Sequence, residues 1–307
     1  MKKRLVFILL LFFSFPLLSQ SILTELNLSK IDTNTFHFQI DSLDGLKIKN
    51  SKSVNSAVIF IQGSSLEPIL LNRDKEYLLT LGDFILDPNS DTYLMSKPGI
   101  PIKSNFNCLD SNYRLLNEYK DMELFHKKHR NEYYQEKYSA LIDILYTSKV
   151  YDTIKIVGVS EGGRIAAFFI NDIRVSEINI LSSDPMGRVN SIIAKELNSN
   201  NPNLEKINFY YSLLVENEQN TDLLHRGYTH MAWRSFSTPF YSKLLQTKQK
   251  VNIVYGTEDR ECYYCYLYDM MPHYNSQITV HKMEGYTHTF MRNGENMNSH
   301  VYRLLFE

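Results

Sequence analysis

The residues with the plainest capacity for chemistry stand in the stretch "IVGVSEGG", positions 156–163. Gly158, Gly162 and Gly163 are three of only twelve glycines in the chain, and they crowd around one serine, Ser160. Gly158-Val159-Ser160-Glu161-Gly162 has the form G-x-S-x-G. It lies between a β-branched run, "TIKIVG" at 153–158, and a helical segment, "GRIAAFFIND". A serine at the tip of so tight a strand-to-helix turn adopts strained backbone angles, and side chains two positions to either side would collide. Glycine removes that collision. The helix that follows aims unpaired N–H groups and the positive end of its dipole at the serine, a setting suited to a developing oxyanion. The alternative is a glycine-eased crossover with no chemistry.

These residues resemble the nucleophile elbow of the α/β-hydrolase superfamily. The G-x-S-E-G-G form is most similar to exported bacterial serine hydrolases related to serine aminopeptidases and prolyl-oligopeptidase-type enzymes. The resemblance runs from about residue 56 to residue 290 and implies a serine nucleophile, a histidine base and an orienting acid, in the chain order serine, acid, histidine. In "VYGTEDRE" Asp259 stands in the turn beyond an apolar run, at the position the resemblance gives to the acid. Asp184, after the preceding apolar run, is the alternative acid, and the adjacent Glu258 would point elsewhere in a tight turn. "GYTHTF" puts His288 in a loop after the last strand, from which an imidazole can swing over the sheet edge. His281 lies within that strand, His273 and His300 fall in surface segments, and His225 and His230 lack the i, i+4 spacing of a helical metal pair. His288 is therefore the expected base.

The same resemblance places a second oxyanion donor after an early strand. "FIQGSS" fits, with the backbone N–H of Ser64 paired with that of Glu161. Gln62 stands where many relatives carry histidine, a departure with little consequence for a main-chain donor. "KPGIP" at 97–101 resembles a loop that lies beside the active site in such hydrolases. The expected reaction is cleavage of an ester, thioester or amide through an acyl-enzyme, with no metal or organic cofactor. Activity should then fall below the ordinary imidazole pKa of about 6.5. Two alternatives stand beside it: a peptidase of the serine aminopeptidase type, in which Glu161 would hold an amino group, and a non-catalytic binding protein on the same scaffold.

The elements that must position these groups are visible as runs. "TFHFQID" (35–41) and "LKIKN" (46–50) read as early strands, antiparallel to each other. "SAVIFIQG" (56–63), "TYLMSKPG" (92–99), "TIKIVG" (153–158), "EINILSS" (177–183), "KVNIVYG" (250–256) and "SQITVHKM" (276–283) read as largely buried strands. Residues 112–148 carry a long helical periodicity. Strands alternating with helices predict an α/β fold, a mainly parallel sheet with helices on both faces. Residues 185–248 read as a helical cap insertion roofing the pocket, with Tyr228, Trp233 and Phe236 either lining the substrate site or forming the core of the cap.

Composition bounds the rest. A hydrophobic fraction of 43% supports a sizeable core. A net charge of -1 gives no general reason to expect nucleic acid as partner, and the expected partner is a small-molecule ester or peptide. "MKKR" followed by "LVFILLLFFSFPLL" and "SQS" has the layout of a secretory signal peptide over residues 1–20, with an uncleaved anchor as the alternative. That layout predicts an exported protein, periplasmic or extracellular, with residues 21–307 as the hydrolase domain and no integral membrane segment once the leader is removed. Cys262 and Cys265 read as two partly buried thiols or one local disulfide, since no second pair completes a zinc site, and Cys108 is left over in a buried position.

Overall fold

The computed structural model of the chain describes residues 26–50, 52, 54–73, 76–80, 87–215 and 224–306. The expected leader at 1–20 lies outside them. Among the described residues, nine strands hydrogen-bond into one sheet. Their spatial order is Ser29–Lys30, Thr35–Ile40, Leu43–Ile48, Asp91–Met95, Ser56–Ile61, Thr153–Val159, Glu177–Leu181, Lys250–Gly256 and Ile278–Met283. The first three are antiparallel to their neighbours, and the six from Asp91–Met95 onward are mutually parallel.

The parallel strands are apolar runs because both of their faces are covered. Ala57, Ile59 and Ile61 point to one face, into a core shared with Tyr138, Leu141 and Leu145 of the helix Asn131–Ser148. Val58 and Phe60 point to the other, where they meet Val254 and, from the C-terminal helix Asn298–Phe306, Val301 and Leu305. This two-residue alternation is the pleat at work. Each fully buried aliphatic side chain in these faces contributes about 1.5–3 kcal/mol of transfer free energy.

Residues 112–148 are not one helix. They form a 3₁₀ turn at Asn117–Tyr119, a short helix Met122–Lys128 and the long helix Asn131–Ser148. The break falls at His129 and Arg130, whose backbone leaves the helical region while the His129 ring turns inward onto Phe125, ring centres 4.3 Å apart. A second departure is a three-stranded sheet of Glu76–Leu79, Leu70–Arg73 and Lys103–Asn105.

Between the strands Glu177–Leu181 and Lys250–Gly256, four helices lie among the described residues, Arg188–Leu197, Leu204–Val215, His230–Ser235 and Tyr241–Leu245. They are joined in part by a two-residue hairpin, Leu224–His225 with Tyr228–Thr229, which the helical reading of 185–248 missed. Val189, Tyr210, Leu213 and Trp233 form a small core of their own there.

The chain adds Asp91–Met95 on one side of Ser56–Ile61 and then Thr153–Val159 on the other. The order reverses at that point, and in open α/β sheets the crevice beyond the carboxyl ends of such strands is where ligands bind. Gly63-Ser64 and Ser160 follow the two strands that flank the reversal.

Candidate active site

Ser160 has φ 54° and ψ −114°, a conformation that non-glycine residues rarely adopt. The turn is held by Ser160 N–H donating to the Leu181 carbonyl (2.8 Å) and Gly163 N–H donating to the Ser160 carbonyl (3.1 Å). The glycines are there for space. A Cβ on Gly158 would lie 2.3 Å from the Gly162 carbonyl oxygen, and one on Gly162 would lie 2.1 Å from that of Ile61.

His288 is brought to Ser160 from the far side of the sheet edge. Its Nε2 lies 2.9 Å from Ser160 Oγ, and its Nδ1 lies 2.9 Å from both oxygens of Asp259. A carboxylate only accepts, so Nδ1 carries the proton and Nε2 is free to accept the serine hydroxyl. The Asp259 side chain is fully buried while the imidazole keeps 26% exposure, which leaves the ring reachable from the cavity. Asp259 Oδ1 also accepts from the backbone N–H groups of Glu261 (2.9 Å) and Cys262 (3.1 Å). The loops carrying the two residues are tied together by Glu258 N–H donating to the Tyr286 carbonyl (3.0 Å). A disulfide joins Cys262 to Cys265 just beyond Asp259, and Cys108 is free and buried.

Asp184 is engaged elsewhere. It accepts from the N–H groups of Met186 and Tyr264, both at 2.9 Å, and burial pushes its pKa up. His281 is half-buried on its strand, and burial lowers its pKa.

Gly63 runs close to the serine: a Cβ there would sit 3.5 Å from Ser160 Cβ. Ser64, Ser160, Glu161 and His288 line one cavity of about 570 Å³. Tyr228 is half-buried and its hydroxyl donates to the Ser64 carbonyl at 3.3 Å. Trp233 reaches the cavity wall but is otherwise enclosed in the small core, donating from Nε1 to the His225 carbonyl. Phe236 does not line the cavity. It is 0% exposed and packs in the main core against His129 and Tyr134, so the expectation that it touches substrate is corrected to a packing role.

Sequence reasoning missed the groups around the Glu161 side chain. Lys97 Nζ donates to Glu161 Oε1, while His129 Nε2 and Arg188 Nη1 lie 3.5 and 3.8 Å from Oε2. Glu161, Lys97 and His129 are all buried. Burial opposes the charge on Glu161, yet the Lys97 ammonium, with His129 and Arg188 behind it, holds the carboxyl well below its usual range. Burial brings His129 down to about 4, so the ring is neutral near pH 7. The signal was present in "KPGIP", whose lysine sits in an apolar run and turn, but its partners lie at 129, 161 and 188, far away in sequence. Among the described residues no cluster of His, Cys, Asp and Glu could hold a metal ion. No helix among them is long and apolar enough to cross a membrane.

Neither sequence-family models nor the sequences of curated proteins match the chain. Solved structures do. Acylaminoacyl peptidase from Pyrococcus horikoshii is similar with a TM-score of 0.55 and 14% identity over 92% of this chain and 41% of that one. Est1E from Butyrivibrio proteoclasticus is similar with a TM-score of 0.54 and 14% identity, over 89% of this chain and 98% of that one. A membrane phospholipase A, a bacterial virulence factor, is similar with a TM-score of 0.50 and 14% identity, over 92% of this chain and 86% of that one. The chain spans about two fifths of the peptidase's length and nearly all of Est1E. The sheet order, the strained serine between strand and helix, and these likenesses together give the chain an α/β-hydrolase fold.

Proposed function

We propose that the protein is an exported serine hydrolase that cleaves an ester, thioester or amide through an acyl-enzyme. The observation that carries the reading is the unbroken chain of contacts Ser160 Oγ to His288 Nε2 and His288 Nδ1 to Asp259, at 2.9 Å throughout. In it, Ser160 Oγ attacks the carbonyl carbon while His288 takes the hydroxyl proton. Asp259 holds the productive tautomer and stabilises the imidazolium that forms. The backbone N–H groups of Ser64 and Glu161 receive the oxyanion; one such donor is worth on the order of 10²–10³ in rate. His288 passes its proton to the leaving group, and water, deprotonated by the same imidazole, releases the acyl group. The leader-like residues 1–20 and the Cys262–Cys265 disulfide support export, since disulfides persist in oxidising compartments.

Glu161 counts against recognition of a free amino terminus. Its Oε1 already accepts from the Lys97 ammonium, so an incoming amine would face a resident cation. Short p-nitrophenyl esters should therefore turn over well and aminoacyl anilides poorly. A preference for the anilides would support the aminopeptidase-type alternative, and a folded protein inert to both would favour a binding protein on this scaffold.

A further inference from the structure

The cavity at Ser160 carries more positive charge than the acyl transfer uses. Arg164, Arg188, Lys195, Arg226 and Arg260 all reach its wall. Of the carboxylates there, Glu196 is held by Lys206, Glu161 is shared between Lys97 and the more distant Arg188, and Glu261 completes the set, so cations outnumber carboxylates on the wall.

Two of these cations are built into the site. Arg164 stands one helical turn past Ser160, on the same side of the helix Glu161–Ala166. It is only 8% exposed, and its Nε is buried with no hydrogen-bond partner. Arg188 opens the helix Arg188–Leu197 with its guanidinium over Trp233 (4.1 Å) and Tyr228 (4.8 Å). Stacking occupies the face of the guanidinium, and its Nη1 approaches Glu161 Oε2 at 3.8 Å, an ion pair too long for a hydrogen bond, so its N–H groups are not saturated by that carboxylate. A buried guanidinium without matched acceptors is costly, and a ligand oxyanion supplies the acceptors. Burial lowers the pKa of Arg164 and the nearby Arg188 charge lowers it further, which the Asp184 and Glu161 carboxylates offset only in part.

We propose that Arg164 and Arg188 form an anion subsite in the Ser160 cavity, so that the substrate carries a carboxylate or phosphate close to its scissile carbonyl. The inference rests on the hydrolase reading for the word substrate, but not for the binding of the anion itself. Both anions offer the same chemistry to a guanidinium edge, several acceptor oxygens under negative charge. The cavity has room for a small acyl chain bearing such a group.

The test separates the two readings. Glutarate, inorganic phosphate and the neutral isostere glutaramide are titrated calorimetrically into the full-length protein and into Arg188→Gln. Fluorophosphonate labelling of Ser160 is followed in parallel. At least one anion should bind about tenfold or more tightly than glutaramide, the worth of one charge-assisted hydrogen bond, and added salt should weaken it. Arg188→Gln should lose about that factor. The mono-p-nitrophenyl ester of glutaric acid should exceed p-nitrophenyl butyrate in kcat/KM by a similar ratio. The tighter of the two anions identifies the group. Equal affinity for all three probes, equal kcat/KM for the two esters, or an Arg188→Gln protein that binds the anion like wild type overturns the proposal. If Arg188→Gln does not fold, the wild-type contrast between glutarate, phosphate and glutaramide decides alone. Selective anion binding without labelling of Ser160 sinks the hydrolase reading and leaves the subsite standing.

Discussion

Two buried carboxylates flank Ser160, and they are held in opposite ways. Asp259 is met by the His288 ring and by two backbone N–H groups, so each of its oxygens has a hydrogen-bonding donor at 2.9–3.1 Å. Glu161 is met by charge: Lys97 donates to one oxygen, while the other is buried without a hydrogen bond, with His129 at 3.5 Å and Arg188 at 3.8 Å. Asp259 is fixed by geometry and can do its work through one ring. Glu161 is fixed by a balance of charges, and removing one member leaves an uncompensated ion in a dry place. On the function proposed above, the first carboxylate serves the chemistry and the second the stability of the turn that presents Ser160.

Replacing Asp259 by Asn should produce the largest effect, and on rate alone. The amide oxygen can still accept from the backbone N–H groups of Glu261 and Cys262, but its NH₂ group favours the wrong imidazole tautomer. Turnover of a neutral ester should fall about 10⁴-fold. The urea midpoint should change little, and the two assays together test the assignment. A rate loss below about tenfold would remove Asp259 from the mechanism.

Lys97→Met should do the reverse. It strands the Glu161 carboxylate and should cost about 3–5 kcal/mol of stability, read from urea unfolding. Adding Glu161→Gln should restore part of that loss. Additive losses in the double variant would show that the pair is not coupled.

The smallest effect is a pH slope. Folding holds His129 neutral down to about pH 4, whereas an unfolded chain protonates the ring near ~6.5. The unfolded state therefore binds more protons across that window. Stability should be complete above about pH 6.5 and fall as pH drops toward 4, by up to about 3 kcal/mol from this residue. His129→Phe keeps the stack on Phe125 and should flatten the slope between pH 6.5 and 4.5. Equal slopes in the two proteins would put the acid sensitivity elsewhere.

The meeting of Ser160, Asp259 and His288 was legible in the sequence, and the buried charges around Glu161 were not. Ser160, Asp259 and His288 each stand just past an apolar strand that ends in a turn, and local pattern exposes such places. Lys97, His129 and Arg188 come from separate elements and meet only because the sheet brings them to one point. The helical period across 112–148 concealed the break at His129, where an inward histidine is indistinguishable from a helix-face residue until Phe125 is seen beneath it. The C-terminal helix Asn298–Phe306 was missed for a related reason. It is nine residues long, and its apolar contacts Val301 and Leu305 gain meaning only against Phe60 and Val254 across the chain. Phe236 and Trp233, which the sequence left open as pocket lining or core of the cap, are both buried, and of the two Trp233 alone also reaches the cavity wall.

On the proposed function, Ser160 activated by His288 forms a covalent acyl-enzyme. Intact-mass spectrometry of the full-length protein after incubation with a fluorophosphonate, followed by peptide mapping, tests it most directly. A single adduct, mapped to Ser160 and absent in Ser160→Ala, is the expected result. A folded protein that stays unmodified, or an adduct that survives in Ser160→Ala, would contradict it.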